Sequence, residues 1–208
     1  DLCLMSFCAI TPTRGDRPKF SDHLGWQISR MTVRPEQWYI IDHKPKSNAF
    51  DLVSRIKEGI KMAYADGFDE VFVLEDDDQY LPTYFETMVL GDALFVGCEK
   101  TTYYNLSNRT WQTMDHKGRS SLFHTGFKIS ALNGFKWPKD DYVFLDIPLW
   151  QHAKNCKFVE SKAIGIKHGI GKVGGAGHRM KMKNIDSNLE WLSANVDKES
   201  FEFYQSII

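Results

Sequence analysis

The chain has 208 residues, 42% hydrophobic and 13% aromatic, which is enough to bury a core and excludes wholesale disorder. Its 26 Lys and Arg nearly cancel 27 Asp and Glu, and the net charge of −1 argues against both an obligate DNA coater and an acidic tail protein. The charges are segregated, however. Residues 49–100 hold 12 acidic and 4 basic side chains, whereas residues 151–185 hold 8 basic ones and a single acid, Glu160, so a site between opposed regions is expected.

In chain order, the opening run LCLMSFCAIT breaks at Pro12, Gly15 and Pro18 and reads as a buried strand. Phe20, Leu24, Ile28 and Met31 follow at near-helical spacing, behind Ser21 or Asp22 as N-cap. Residues 37–42 (QWYIID) are a second strand. From Ala49 to Ala65, Phe50, Val53, Ile56, Ile60 and Ala63 mark one helix face, which Gly67 is placed to end. Residues 70–75 (EVFVLE) are a third strand, and strands alternating with helices over short turns predict a parallel sheet. Beyond it, residues 93–99 and part of 120–130 are strand candidates, and Pro148 can start a helix. Residues 157–169 read as one or two strands running into a glycine-rich stretch, and 186–206 as one or two amphipathic helices. Pattern alone does not order the strands of this half. Cys3, Cys8, Cys98 and Cys156 form no CxxC pair and read as buried, reduced thiols. No apolar run approaches a membrane span and no basic-then-apolar leader is seen in these residues, so a cytoplasmic location is expected.

The sharpest feature is Leu74-Glu75-Asp76-Asp77-Asp78. Four consecutive carboxylates at the end of a buried strand repel one another, and a divalent cation would relieve that repulsion. Ligands of open parallel sheets bind outside the carboxyl ends of strands, and hard oxygen ligands suit Mg2+ or Mn2+. The competing reading is a solvated acidic turn before a helix near Pro82.

Together, TPTRGDRP after the first strand, WYIID after the second and VFVLEDDDQYLPTYFE after the third resemble glycosyltransferase family 2 in order, spacing and flanking residues. FHTGFKIS and YVFLDIPLW match more loosely. The resemblance implies the GT-A fold, an α/β, Rossmann-like, mostly parallel sheet flanked by helices. It implies a single catalytic domain over 1–208, with a nucleotide-sugar-binding half at 1–100 and an acceptor-binding half at 101–208 that carries the glycine-rich loop. The implied activity is metal-dependent, inverting transfer from a nucleoside-diphosphate sugar, in the commonest case UDP-linked, to an acceptor hydroxyl.

By the same resemblance, Thr11, Pro12 and Arg14 lie in the loop that holds the nucleotide, and Asp42 meets the base edge. Here Asp42 is followed by His43-Lys44-Pro45 where the family usually has a second acid and Gly-Ser. The family's Asp-x-Asp motif falls in register with Glu75 and Asp77. Asp77 and then Asp78 are the expected ligands of Mn2+ or Mg2+, and Asp76 the expected ribose contact. Asp146 matches the general base, although Leu145 replaces the usual preceding Glu. Its apolar neighbours would raise its pKa toward a useful range, and a helix-capping Asp is the alternative. His168, at the end of the apolar strand AIGI, matches a late metal ligand, and an imidazole favours Mn2+. Lys172, His178 and Arg179 lie in the glycine-rich stretch expected to close over the diphosphate.

Two other classes compete. A sugar-nucleotide nucleotidyltransferase would carry a Gly-rich, Arg-containing signature after the first strand, and TPTRGDRP is a poor version of it. A non-enzymatic polyanion- or nucleic-acid-binding module could use the basic 151–185 segment, but it leaves the acidic strand end unexplained. The acceptor stays open among a glycan, a small molecule, a protein and a hydroxylated DNA base.

Overall fold

In the computed structural model, residues 6–45, 47, 49–170 and 180–207 are described. Lys172, His178, Arg179 and Cys3 lie outside them. Strand β1 (Phe7–Pro12) is buried along its whole length, and its alternate side chains enter opposite layers. Phe7 and Ala9 join one core cluster, Cys8 and Ile10 the other. β3 (Glu70–Val73), which pairs parallel to β1, repeats the division, with Phe72 on the first side and Val71 and Val73 on the second.

Strands apolar on both faces need cover on both, and the first two helices supply it. α1 (Pro18–Ser29) sends Leu24 and Ile28 into the first cluster. α2 (Leu52–Ala65) sends Val53, Ile56, Ile60 and Ala63 into the second. Each Val, Leu or Ile among them contributes about 1.5–3 kcal/mol when fully buried. α1 starts at Pro18, earlier than the expected cap at Ser21 or Asp22, because proline at the first helical position forfeits no helical hydrogen bond. α2 starts later than Ala49, and Gly67 follows it at φ +87°, the left-handed conformation that glycine adopts without strain.

β2 (Gln37–Ile41) and the short strands β5 (Phe95–Gly97), β8 (Gly126–Lys128) and β9 (Cys156–Phe158) complete a six-stranded sheet of order β2-β1-β3-β8-β5-β9. A second sheet has the order β11-β7-β6-β10-β4. It is built from β4 (Gln79–Tyr80), β6 (Lys100–Asn105), β7 (Thr110–Asp115), β10 (Ala163–Lys167) and β11 (Asn184–Ile185). Short α3 (Tyr84–Thr87) follows β4, and α4 (Asp146–His152) precedes β9. α5 (Glu190–Asn195) and α6 (Lys198–Gln205) bring Leu192 and Tyr204 into a third cluster with Tyr104, Ile164 and Ile166 of the second sheet.

The mostly parallel sheet expected from sequence is met only in part. β8 runs antiparallel to both β3 and β5, and in the second sheet β6–β10 is parallel while the other pairings are antiparallel. β8 fits beside β3 because residue 126 is glycine: a Cβ there would collide with the Phe72 ring and lie 2.9 Å from Val96 Cγ1. The β6–β7 hairpin has no apolar run to announce it; Thr and Tyr, which suit a pleated half-buried surface, carry it. No helix among the described residues is long and apolar enough to cross a membrane. Cys8 and Cys98 are buried, and burial pushes both thiols up to about 12. Cys156 is exposed, contrary to the expectation of four buried thiols, because β9 is an edge strand with all three residues in solvent.

Candidate active site

The acidic run is the crossing between the two sheets. β3 belongs to the first sheet, and residues 75–78 carry the chain to β4 of the second, which pairs antiparallel with β10 through Tyr80↔Ala163 and Gln79↔Ile164. The end of β10 thereby delivers Lys167 and His168 to the carboxylates. Gln27 of α1 clamps the crossing: its side-chain amide donates to the Asp78 carbonyl at 3.2 Å and accepts from the Tyr80 N–H at 2.6 Å. Asp78 turns inward, where its Oδ1 accepts the Ile166 N–H at 2.8 Å, and burial together with the charge of Asp77 raises its carboxyl well above the ordinary value.

Asp76 and Asp77 share one guanidinium. Arg17, the residue before α1, places Nη2 2.6 Å from Asp76 Oδ1 and Nη1 2.5 Å from Asp77 Oδ2. Asp76 Oδ2 also accepts from Thr13 Oγ1 at 2.7 Å and from Ser21 Oγ at 3.3 Å. His168 Nε2 lies 2.9 Å from Asp77 Oδ2 and 3.2 Å from Arg17 Nη1, while its Nδ1 accepts the Ile170 N–H at 2.9 Å. With Nδ1 accepting, the neutral ring carries its proton on Nε2 and donates it to Asp77. Burial works to raise the Asp77 carboxyl, but Arg17 and His168 outweigh it and hold it well below the usual carboxylate range. For neighbouring Glu75, burial followed by the Asp77 charge outweighs Lys167 and Arg17 and lifts the carboxyl to about 7.

A cavity of 160 Å3 opens beside Asp76 and Asp77, lined also by Pro12, Arg14, Arg17, Phe50, Asp51 and Arg55. Leu52, Glu75, Val143 and Lys167 are shared with an adjoining cavity of 360 Å3 lined by Tyr103, His116, Arg119, Ser121, Phe144 and Asp146. Asp146 opens α4 in this second cavity; Leu145 holds the N-cap position, so Asp146 is not the cap. Arg119 Nη1 meets its Oδ2 at 2.5 Å. Burial raises the Asp146 carboxyl above its ordinary value even against Arg119. Lys167 faces Asp78, Asp77 and Glu75, and their charges outweigh its burial and raise its pKa.

The remaining expected residues scatter around this cleft. Arg14 is spent on the loop before α2, donating to the Ala49 carbonyl at 2.9 Å and Asp51 Oδ1 at 2.8 Å. Thr11 is fully buried, its hydroxyl accepting from Trp38 Nε1 at 2.9 Å. Asp42 lines a different groove with Thr13, Ser21, Gly25 and Trp38. Asp77, Asp78 and His168 do not come together as a ligand set: Asp78 points inward and Arg17 stands against Asp77 and His168. Among the described residues, no group of three or more His, Cys, Asp or Glu is arranged to hold a metal ion. Arg17, Lys167 and Arg119 were not singled out from sequence. Arg17 belongs to TPTRGDRP, where it directly precedes the proline that starts α1, but Arg14 lies nearer the strand end in sequence; Arg119, between Gly118 and Ser120, carries no local signal.

No protein-family model matches the chain, and no curated protein matches it. Among solved structures, that of S. aureus TarS 1–349 in complex with UDP-GlcNAc is similar at a TM-score of 0.57 and 11% identity, covering 83% of this chain and 61% of that one. A second structure of S. aureus TarS gives 0.51 at 10% identity, over 79% of this chain and 37% of that one. A197 from STIV gives 0.48 at 13% identity, over 76% and 83% respectively. This chain thus spans about three fifths of the TarS 1–349 chain. The likeness to TarS supports the GT-A-like fold and does not single out family 2.

Proposed function

We propose that this chain is a glycosyltransferase that takes a sugar from a nucleoside-diphosphate donor, UDP-linked in the first instance, and passes it to an acceptor hydroxyl with inversion. The observation that carries this reading is the pair of joined cavities, with ionised Asp77 beside one and proton-accepting Asp146 in the other. Its fold is shared with a protein captured with UDP-GlcNAc, which supports a nucleotide-sugar donor.

In this reading the donor diphosphate lies in the cavity of Pro12, Asp76 and Lys167, and the acceptor enters beside Tyr103, Arg119 and Asp146. Asp146 takes the acceptor hydroxyl proton as the oxygen attacks the anomeric carbon. The bond from that carbon to the diphosphate oxygen breaks, and the nucleoside diphosphate leaves with the electron pair. Lys167, whose charge is secured by its acidic neighbours, faces the departing negative charge. Arg119 holds the Asp146 carboxylate in position. A divalent cation, expected from the sequence, has no ready ligand set in the described residues, and no step is assigned to it.

A thermal-shift screen of UDP-, GDP-, ADP- and dTDP-sugars, followed by detection of nucleotide release with candidate acceptors, tests the reading. One donor class is expected to raise Tm and to release nucleotide once an acceptor is supplied. Absence of stabilisation by every nucleotide sugar would overturn it.

A further inference from the structure

The acidic strand end already holds a cation, and it is part of the chain. Arg17 grips Asp76 and Asp77 with its two terminal nitrogens at 2.6 and 2.5 Å. Its side chain is only 9% exposed, and Pro18 at the first position of α1 fixes the backbone beside it. The atoms with which Asp77 and His168 face each other are both engaged. On Asp77 the Oδ2 oxygen that faces His168 is the one bound by Nη1. On His168 the Nδ1 lone pair is used by Ile170 N–H, so the Nε2 that faces the carboxylate bears the proton and offers no lone pair.

We propose that the Asp76–Asp77 pair keeps Arg17 as its own counter-ion and takes a divalent cation only when that guanidinium leaves. Arginine and a metal ion then compete for one place, and residue 17 sets the metal affinity of the strand end. A planar guanidinium bridges two carboxylates with a fork that an ammonium cannot reproduce, so lysine is a weaker competitor and an uncharged side chain none at all. The idea deepens the sugar-transfer reading and rests on it only for its consequence in turnover.

The test uses the full chain with Mn2+ alone, titrated by the electron paramagnetic resonance signal of the free ion and by Tm. Affinity is expected to rise in the order wild type, Arg17→Lys, Arg17→Met, with at least a tenfold gain, about 1.4 kcal/mol, for the last. Mn2+ should raise the Tm of Arg17→Met by more than that of wild type, and adding Asp77→Asn should remove the gain. If Arg17→Met is folded only with Mn2+ present, the proposal stands; if it is unfolded in either condition, Arg17→Lys against wild type decides. A flat or reversed order of affinities would overturn it, as would a gain that survives Asp77→Asn. With no donor in the assay, failure here leaves the sugar-transfer reading untouched, and a silent donor screen leaves this one untouched.

Discussion

Asp77 and Asp146 line adjoining cavities, yet their surroundings drive them apart. Asp77 loses water but gains the Arg17 charge and a hydrogen bond from His168, which together keep it ionised far below the usual range. Asp146 loses water and gains Arg119 and backbone N–H groups, but burial prevails and its carboxyl rises. Paired carboxyl groups pushed in opposite directions are the arrangement that divides roles in a site: one stays charged, the other can accept a proton. The difference comes from partner geometry rather than residue type, since both are aspartates.

The largest expected effect falls on the basic end. Asp146→Asn should lower nucleotide release in the presence of acceptor by about 10²–10⁴-fold while donor-induced stabilisation persists. Undiminished release would end the assignment of the base. At the charged end, Arg17→Met strips the shared cation from two carboxylates and should cost about 3–5 kcal/mol in metal-free urea unfolding. A cost near zero would mean that Arg17 and the acidic pair are not coupled, and the contrast between the two ends would collapse.

Acid separates the ends without mutation. As pH falls, transfer should be lost through the raised pKa of Asp146, because a protonated carboxyl cannot accept the acceptor's proton. The Arg17–Asp77 pair has a depressed folded-state pKa, so its stabilisation is present above the unfolded value and is lost only as pH falls through the folded one. A window must therefore exist in which turnover is gone and Tm is retained; coincident loss of both would contradict the contrast. The smallest effect belongs to Glu75. Its folded-state pKa of about 7 lies above the 4.5 of the free group, so the unfolded chain ionises first and stability drains away as pH rises between the two. Glu75→Gln should flatten that slope in Tm measured from pH 5 to 8, and an unchanged slope would show that another group carries it.

The first half of the fold was legible because its signals are local. The apolar runs of β1, β2 and β3 and the helical periodicity of α1 and α2 are carried by neighbouring residues, and each element overlaps its expected segment. In the second half β5, β8, β10, α5 and α6 fall inside their expected segments, but the strand order was not legible, since β8 is three residues long and is held between β3 and β5 by a glycine that only the packed Phe72 ring explains. For the site, Asp76, Asp77, Asp146 and His168 were named from sequence, whereas Arg17, Lys167, Arg119 and buried Arg55 were not. Arg55 closes the floor of the cleft by donating to the Ile41 carbonyl at 2.7 Å and to Asp51 at 2.8 Å, yet on a helix heptad it reads as a surface charge.

What the sequence determined by itself was the run of carboxylates at a strand end and the helices that cover both faces of that strand, because apolar spacing and chain order are local properties. Which carboxylate faces the cleft was decided only in three dimensions. Asp77 meets Arg17 across 60 positions and His168 across 91, and Asp78, one residue on, is taken inward by Ile166 across 88. Hydrogen bonds and ion pairs act over about 3 Å, and only the packing of one sheet beside another sets distances of that order between residues so far apart in the chain.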